Sequence, residues 1–245
     1  MICGECSRLR ATRLSTLSSQ KNARRIRMKT IKVRGMVLKE YETGEADKRL
    51  LLLCKDVGRI MVYARGARKP RSKFLAAAQI FTYSDFILTQ GQGFYSLAQA
   101  DVIENFYNLR TDYERLCAAH FIVDVCEKTL WENSDCDKLL LLVLKSLSNL
   151  SKEKFFPAQI KIVFLARFFD FYGLRPNTNF NPDAKIFFGA EGLCERGGIP
   201  FSQAAAAAFA FILNSETSQA FSFAAHENVL HELHNAVDFF WKHHF

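Results

Sequence analysis

The chain has 245 residues, 49% of them hydrophobic and 24% charged, a balance that supports a packed core and argues against disorder. It has room for one large domain or two small ones, and no apolar run approaches the ~20 residues that span a bilayer. The formal net charge of +8 is unevenly laid out: residues 1–28 carry +6, residues 29–105 carry +5, and residues 106–245 carry −3, so a polyanion-binding front precedes a mildly acidic rear.

Residues 1–28 are rich in Ser, Thr and Arg and lack the apolar stretch of a secretory signal. They read as a basic extension, either disordered or introduced by an upstream start codon. Cys3-x-x-Cys6 has no second pair, so it does not amount to a zinc site. The seven cysteines are odd in number and irregular in spacing. Cys54, Cys117 and Cys126 fall inside apolar patterns and behave as small hydrophobes in a reducing, cytoplasmic setting.

Residues 29–106 are predicted to form a β-domain. Val33, Met36, Val37 and Leu38 make a first strand, and Tyr41–Asp47 a polar turn. Leu50–Cys54 is a continuous apolar strand, and Asp56-Val57-Gly58 a hairpin connection with Gly58 at positive φ. Ile60–Ala64 is the third strand. Phe74–Ala78 favours a short helix. Phe81–Leu88, the turn Gln90–Gly93 and Phe94–Ala100 complete five strands. Five strands with a helix between the third and fourth is the order of an OB-fold β-barrel, an architecture that commonly binds oligonucleotides.

Arg65-Gly66-Ala67-Arg68-Lys69-Pro70-Arg71-Ser72-Lys73 precedes that helix with five basic residues and no acidic one, and Arg59 lies just upstream. Gly66 and Pro70 make it an irregular loop. Its cations can neutralise successive phosphates, which makes binding strongly salt-dependent. Tyr41, Tyr63, Tyr83, Phe94 and Tyr95 could stack on bases, but nothing in the pattern singles one out.

From about Asn108 the periodicity turns helical. Residues 107–245 are predicted as an all-α domain with helices over Asp112–Leu130, Asp135–Leu150, Pro157–Tyr172, Ser202–Leu213 and Glu227–His243, interrupted by a loop over residues 175–200. Pro157 suits a first turn, Gly173 a stop and Ser202 an N-cap. His120 reads as an ordinary helix residue. His226, His231, His234, His243 and His244 lack an H-E-x-x-H spacing and read as surface or helix-terminal residues. No P-loop, nucleophile elbow or paired metal motif occurs, so the expectation is a binding protein rather than an enzyme.

Several segments together resemble the RecO family of bacterial recombination mediators. They are Gly35-Met36-Val37-Leu38, Gly44-Glu45-Ala46-Asp47-Lys48-Arg49-Leu50, Gly58-Arg59 and Arg65-Gly66-Ala67-Arg68-Lys69-Pro70-Arg71-Ser72, followed by Phe81 and Gln99-Ala100. The resemblance runs from about Lys32 to the C-terminus, with Arg65 where many relatives carry Lys. It implies an OB-fold followed by a helical domain, binding of single- and double-stranded DNA, and annealing of complementary strands. It also implies work with RecR and with the C-terminal tail of single-stranded-DNA-binding protein (SSB), indirect loading of RecA, and a bacterial, nucleoid-associated location.

The expected DNA-binding residues are Lys48, Arg49, Arg59, Arg65, Arg68, Lys69, Arg71 and Lys73. An acidic, apolar tail needs an apolar groove rimmed by cations, for which Arg110, Arg115, Lys161 and Arg167 are the candidates. Many relatives carry four zinc-binding cysteines in the loop, whereas this chain has only Cys194 there. The expectation is therefore a degenerate, zinc-less loop packed by Phe180, Ile186, Phe187 and Phe188, with no metal and no cofactor. The rival readings are a general OB-fold RNA- or ribosome-binding protein, which would prefer structured RNA, and an enzyme with a site between the domains.

Overall fold

A computed structural model describes residues 29–91, 93–129 and 136–245. The expectations for the N-terminal extension, for Cys3 and Cys6, for Gln92 and for the stretch 130–135 lie outside the described residues.

The front of the chain is a five-stranded barrel: β1 (Lys29–Thr43), β2 (Asp47–Cys54), β3 (Gly58–Ala64), β4 (Tyr83–Gln90) and β5 (Tyr95–Glu104), in the order β1-β2-β3-β5-β4. Antiparallel β1–β4 pairing closes the ring, while β3 meets β5 in parallel over only Val62↔Tyr95 and Tyr63↔Ser96. Leu50–Cys54 is apolar throughout because both of its faces are buried. Leu50, Leu52 and Cys54 fill the barrel interior with Val37, Ile60, Val62 and Phe86, while Leu51 and Leu53 point outward into the core shared with the helices. The hairpin connection at residues 55–57 has Gly58 at φ +74, as expected.

Two front-domain expectations need correction. The Tyr41–Asp47 segment is not a turn throughout: β1 continues to Thr43, and only residues 44–46 turn. A register shift between Val37 and Lys39 reverses which side chains face out. This bulge places Lys39 and Tyr41 on the outer face, opposite Leu51 and Arg49. Phe74–Ala78 is not a helix either; residues 73–81 are successive turns with one helix-like bond, Ala78 N–H to the Phe74 carbonyl at 2.8 Å. Phe74, Ala77 and Ala78 are drawn into the barrel core, and Phe81 is held at φ +69. Tertiary contacts override a propensity worth only tenths of a kcal/mol per residue.

The rear follows a short 3₁₀ turn (Tyr107–Thr111) with α1 (Tyr113–Thr129), α2 (Asp137–Ser151), α3 (Pro157–Phe171), α4 (Gln203–Asn214) and α5 (Glu227–His244). Pro157 opens α3, and Ser202 accepts from the Ala205 N–H at 3.2 Å as an N-cap. The domain is not all-α. Residues 186–201 form a three-stranded antiparallel sheet, β6 (Ile186–Gly189), β7 (Gly192–Cys194) and β8 (Ile199–Phe201), ordered β7-β6-β8. Phe188 anchors it, fully buried against Phe201, Phe209 and Phe240 at centroid distances of 5.5, 5.1 and 6.2 Å. Ile186 is buried as well, and Phe180 and Phe187 are partly so.

The helices pack directly on the barrel. Met36, Leu38, Leu51, Leu53 and Phe81 belong to the same apolar cluster as Ile122, Val143, Phe164 and Phe169. Among the described residues no helix is long and apolar enough to cross a membrane.

Candidate nucleic-acid interface

The basic loop is clamped at its base and open at its tip. At its start, the Gly66 N–H donates to the Asp47 carboxylate at 2.7 Å. The Arg68 N–H donates to the Ala46 carbonyl at 2.9 Å. Ala67 is buried among Val62, Ala64 and Phe74. Gly66 turns at φ +67, a region that side chains rarely adopt. Turns at Lys69 and Ser72 continue the loop. The two motifs that stand apart in the sequence, Gly44–Leu50 and Arg65–Ser72, are thus one unit: the carboxylate of the first orders the backbone of the second.

The eight expected DNA-binding cations divide by what they already contact. Arg65, Lys69 and Arg71 are exposed, with no acidic or carbonyl partner among the described residues. Lys73 is exposed and donates to the Ala98 carbonyl at 2.9 Å. Arg68 is half-engaged, 3.1 Å from the Glu42 carboxylate and within 3.4–3.5 Å of the Glu45 and Gly44 carbonyls. Lys48 turns away from the loop to pair with Glu40 at 2.5 Å. Arg49 lies over the Tyr41 ring at 5.8 Å, with its Nε buried. Arg59 donates to the Glu127 carbonyl at 2.7 Å, tying β3 to α1.

Glu127 is the hub of that tie. Lys39 Nζ donates to its carboxylate at 2.7 Å and the Tyr41 hydroxyl at 2.8 Å. Burial opposes the charge, but these two donors outweigh burial and hold the Glu127 carboxyl below the usual glutamate range.

The four cations expected to rim one groove do not converge. Arg110 donates to the Ile80 carbonyl at 3.0 Å and to Asn105, and lies over Phe81. Arg115 pairs with Glu153, and Lys161 sits 5.5 Å over the Phe121 ring. Arg167 alone of the four lines the 520 Å³ groove formed with Asp137, Lys138, Leu141, Leu142, Asp170, Phe171 and Thr217. Its guanidinium donates to the Ser215 carbonyl, and burial lowers its pKa.

Cys194 lies in β7 with its thiol against the Phe187 and Gly197 carbonyls, at 3.6 and 3.4 Å. Among the described residues, no cluster of three or more His, Cys, Asp or Glu is placed to hold a metal. A structural zinc site takes four ligands, and Cys194 is the one cysteine among residues 175–200. His244, exposed at the end of α5, contacts the Ala190 carbonyl at 2.8 Å and lies tilted against the Phe240 ring, joining α5 to the β6–β7 turn. His120 packs edge-on against Phe81.

Sequence reasoning missed Asp47, whose place in the Gly44–Leu50 motif is its only signal, and Glu127, which no local pattern marks.

Two family models match. The one described as Recombination protein O N terminal covers residues 28–106, and the one described as Recombination protein O C terminal covers residues 110–245. A DNA repair protein RecO from Acetivibrio thermocellus is 37% identical over 221 residues, 84% of this chain and 88% of that protein. One from Alkaliphilus metalliredigens is 35% identical over 147 residues, 60% of each chain. One from Symbiobacterium thermophilum is 29% identical over 170 residues, 69% of this chain and 66% of that protein.

Proposed function

The chain belongs to the RecO family, which places its role in DNA repair and recombination, and from that premise we propose that it works as a mediator through the Arg65–Lys73 loop. It binds single- and double-stranded DNA, anneals complementary strands, and with RecR helps load RecA onto SSB-coated single strands. One observation carries this reading: Arg65, Lys69 and Arg71 stand exposed, without an acidic or carbonyl partner among the described residues, on a loop whose backbone is clamped to the barrel by Asp47 and Ala46. Holding cations away from internal partners costs nothing in water and leaves them ready for phosphates, with counterion release as the driving force. Annealing requires charge neutralisation and base presentation, not bond chemistry, so the reading is non-enzymatic.

In this reading the barrel (residues 29–106) is an OB-fold in which a run of turns replaces the helix between the third and fourth strands. The rear domain (residues 107–245) carries partner contacts. The SSB tail docks on the helices, with Arg167 and Lys138 as the cations of its groove, and the sheet over residues 186–201 is held by Phe188 rather than by zinc. The protein acts in the bacterial cytoplasm on nucleoid DNA.

The test is complementary-strand annealing on SSB-coated DNA, with and without RecR. Acceleration by the protein, enhanced or redirected by RecR, is the expected result. Absence of annealing together with tighter binding to structured RNA than to single-stranded DNA would replace this reading with that of an RNA-binding protein.

A further inference from the structure

Exposed aromatics on a barrel surface cost solvation unless something covers them, and here two of them meet. Tyr63 and Phe94 are 36% and 42% exposed, with ring centroids 5.8 Å apart at an interplanar angle of 81°. The sparse β3–β5 pairing produces the meeting: Tyr63 lies opposite Ser96, two residues after Phe94. The Phe94 ring lies against Gly91, whose N–H donates to the Phe94 carbonyl at 2.8 Å. A Cβ on Gly91 would stand 2.8 Å from that ring, so the glycine is what lets the ring settle there. Phe94 also lines a 240 Å³ recess together with Arg59, Ile60, Met61, Gln90 and Tyr95.

The surroundings state what would cover the pair. Across β2, Arg49 lies opposite Tyr63 and is itself flanked by Tyr41. On the loop side, the exposed Arg65 lies two residues beyond Tyr63. Aromatic faces bordered by cations fit a ligand with flat apolar rings on an anionic chain. A duplex hides its bases within the stack; a single strand presents them.

We propose that Tyr63 and Phe94 form a base-stacking platform for single-stranded DNA, beside the phosphate-binding loop. The proposal rests on the DNA-binding reading of that loop and goes beyond it: the loop binds either form of DNA, and the platform supplies the preference for unpaired bases. It assigns roles that the sequence left open among five aromatics. Tyr41 is taken up by Glu127, and Tyr83 and Tyr95 are only partly exposed.

The experiment uses the full chain and compares affinities for an oligothymidine, a matched abasic strand and a duplex of the same length. The native protein is expected to bind the oligothymidine about tenfold more tightly than the abasic strand, a ratio that reports stacking alone. In Tyr63→Leu/Phe94→Leu the ratio falls to about one while duplex affinity stays within about twofold. A folded variant that keeps the native ratio overturns the platform. So does one that loses duplex and single-strand binding equally, because the residues then act on fold or charge. Should the double variant misfold, Tyr63→Trp serves instead: its indole fluorescence is quenched by oligothymidine and not by the abasic strand, and equal responses overturn the proposal. Failure of the native protein to bind any of the three strands sinks the loop reading itself, an outcome distinct from loss of the ratio alone.

Discussion

The basic loop of the barrel and the arginines of the helical region have the same chemistry and opposite circumstances. On the loop, Arg65, Lys69 and Arg71 face solvent without partners among the described residues. In the helical region Arg110 is taken up by the Ile80 and Asn105 carbonyls, Arg115 by Glu153 and Arg167 by Ser215. The division also runs through the barrel, where Lys48 and Arg59 are held by Glu40 and Glu127. Counting charge along the chain locates the basic region; it does not say which cations are available. A guanidinium bonded to a carbonyl holds the fold together, and a phosphate must displace that bond before it gains anything.

The comparison breaks first, and most visibly, at the loop. Reversing charge at Arg65, Lys69 and Arg71 together is expected to lower DNA affinity at least ~100-fold and to reduce the salt slope for single strands by about 2, near the 0.7 per phosphate contact that counterion release gives. Because none of the three has a partner among the described residues, stability should change by no more than ~0.5 kcal/mol. Filter binding across a salt series together with thermal melting checks both halves. Native-like binding by the folded triple variant would move the footprint off the loop.

Arg110→Ala is the mirror experiment. It removes donors to two backbone carbonyls and the stacking over Phe81, and should cost about 2 kcal/mol. DNA affinity of the folded variant should stay within about twofold. Urea unfolding and the same binding assay would show the reverse pattern if Arg110 were a ligand contact.

How much of this was legible follows from how far apart the interacting residues lie. The strand Leu50–Cys54, the stop at Gly173 and the cap at Ser202 are local features, and sequence alone placed them. The turns at Phe74–Ala78 escape a local reading because the contacts that override helix propensity come from the barrel interior. The sheet at residues 186–201 escapes a local reading as well, because strands of three or four residues leave no period to detect. The loop's charge was plain in the sequence, whereas its clamp, Asp47, lies 19 residues from Gly66, and Glu127 lies 88 from Lys39. Arg59, Arg68 and Lys73 are engaged across separations of 23 to 68 residues, so composition could nominate all eight and distinguish none.

The smallest effect tests the comparison at the Glu127 tie, through pH. Lys39 and Tyr41 hold the Glu127 carboxyl below its ordinary value of 4.5, against the opposing effect of burial. A carboxyl whose pKa is depressed by folding contributes stability above its unfolded value and loses that contribution as pH falls through the folded one. The tie between β1 and α1 is therefore intact at neutral pH and weakens only in acid below the normal glutamate range, where protonation removes the ion pair to Lys39. Glu127→Gln keeps an acceptor for Tyr41 but lacks the charge. It should lose about 1 kcal/mol at neutral pH, a modest figure because Lys39 is partly solvated. Toward low pH the native curve should fall to meet that of the variant, whose own acid slope is shallower by one titrating group. Urea midpoints taken across that range would show parallel curves if Glu127 contributed only packing. Loop cations have no part in the tie, so DNA affinity at neutral pH should be the same for both proteins, and a variant that bound DNA differently would mean that engaged and unengaged cations are coupled through α1.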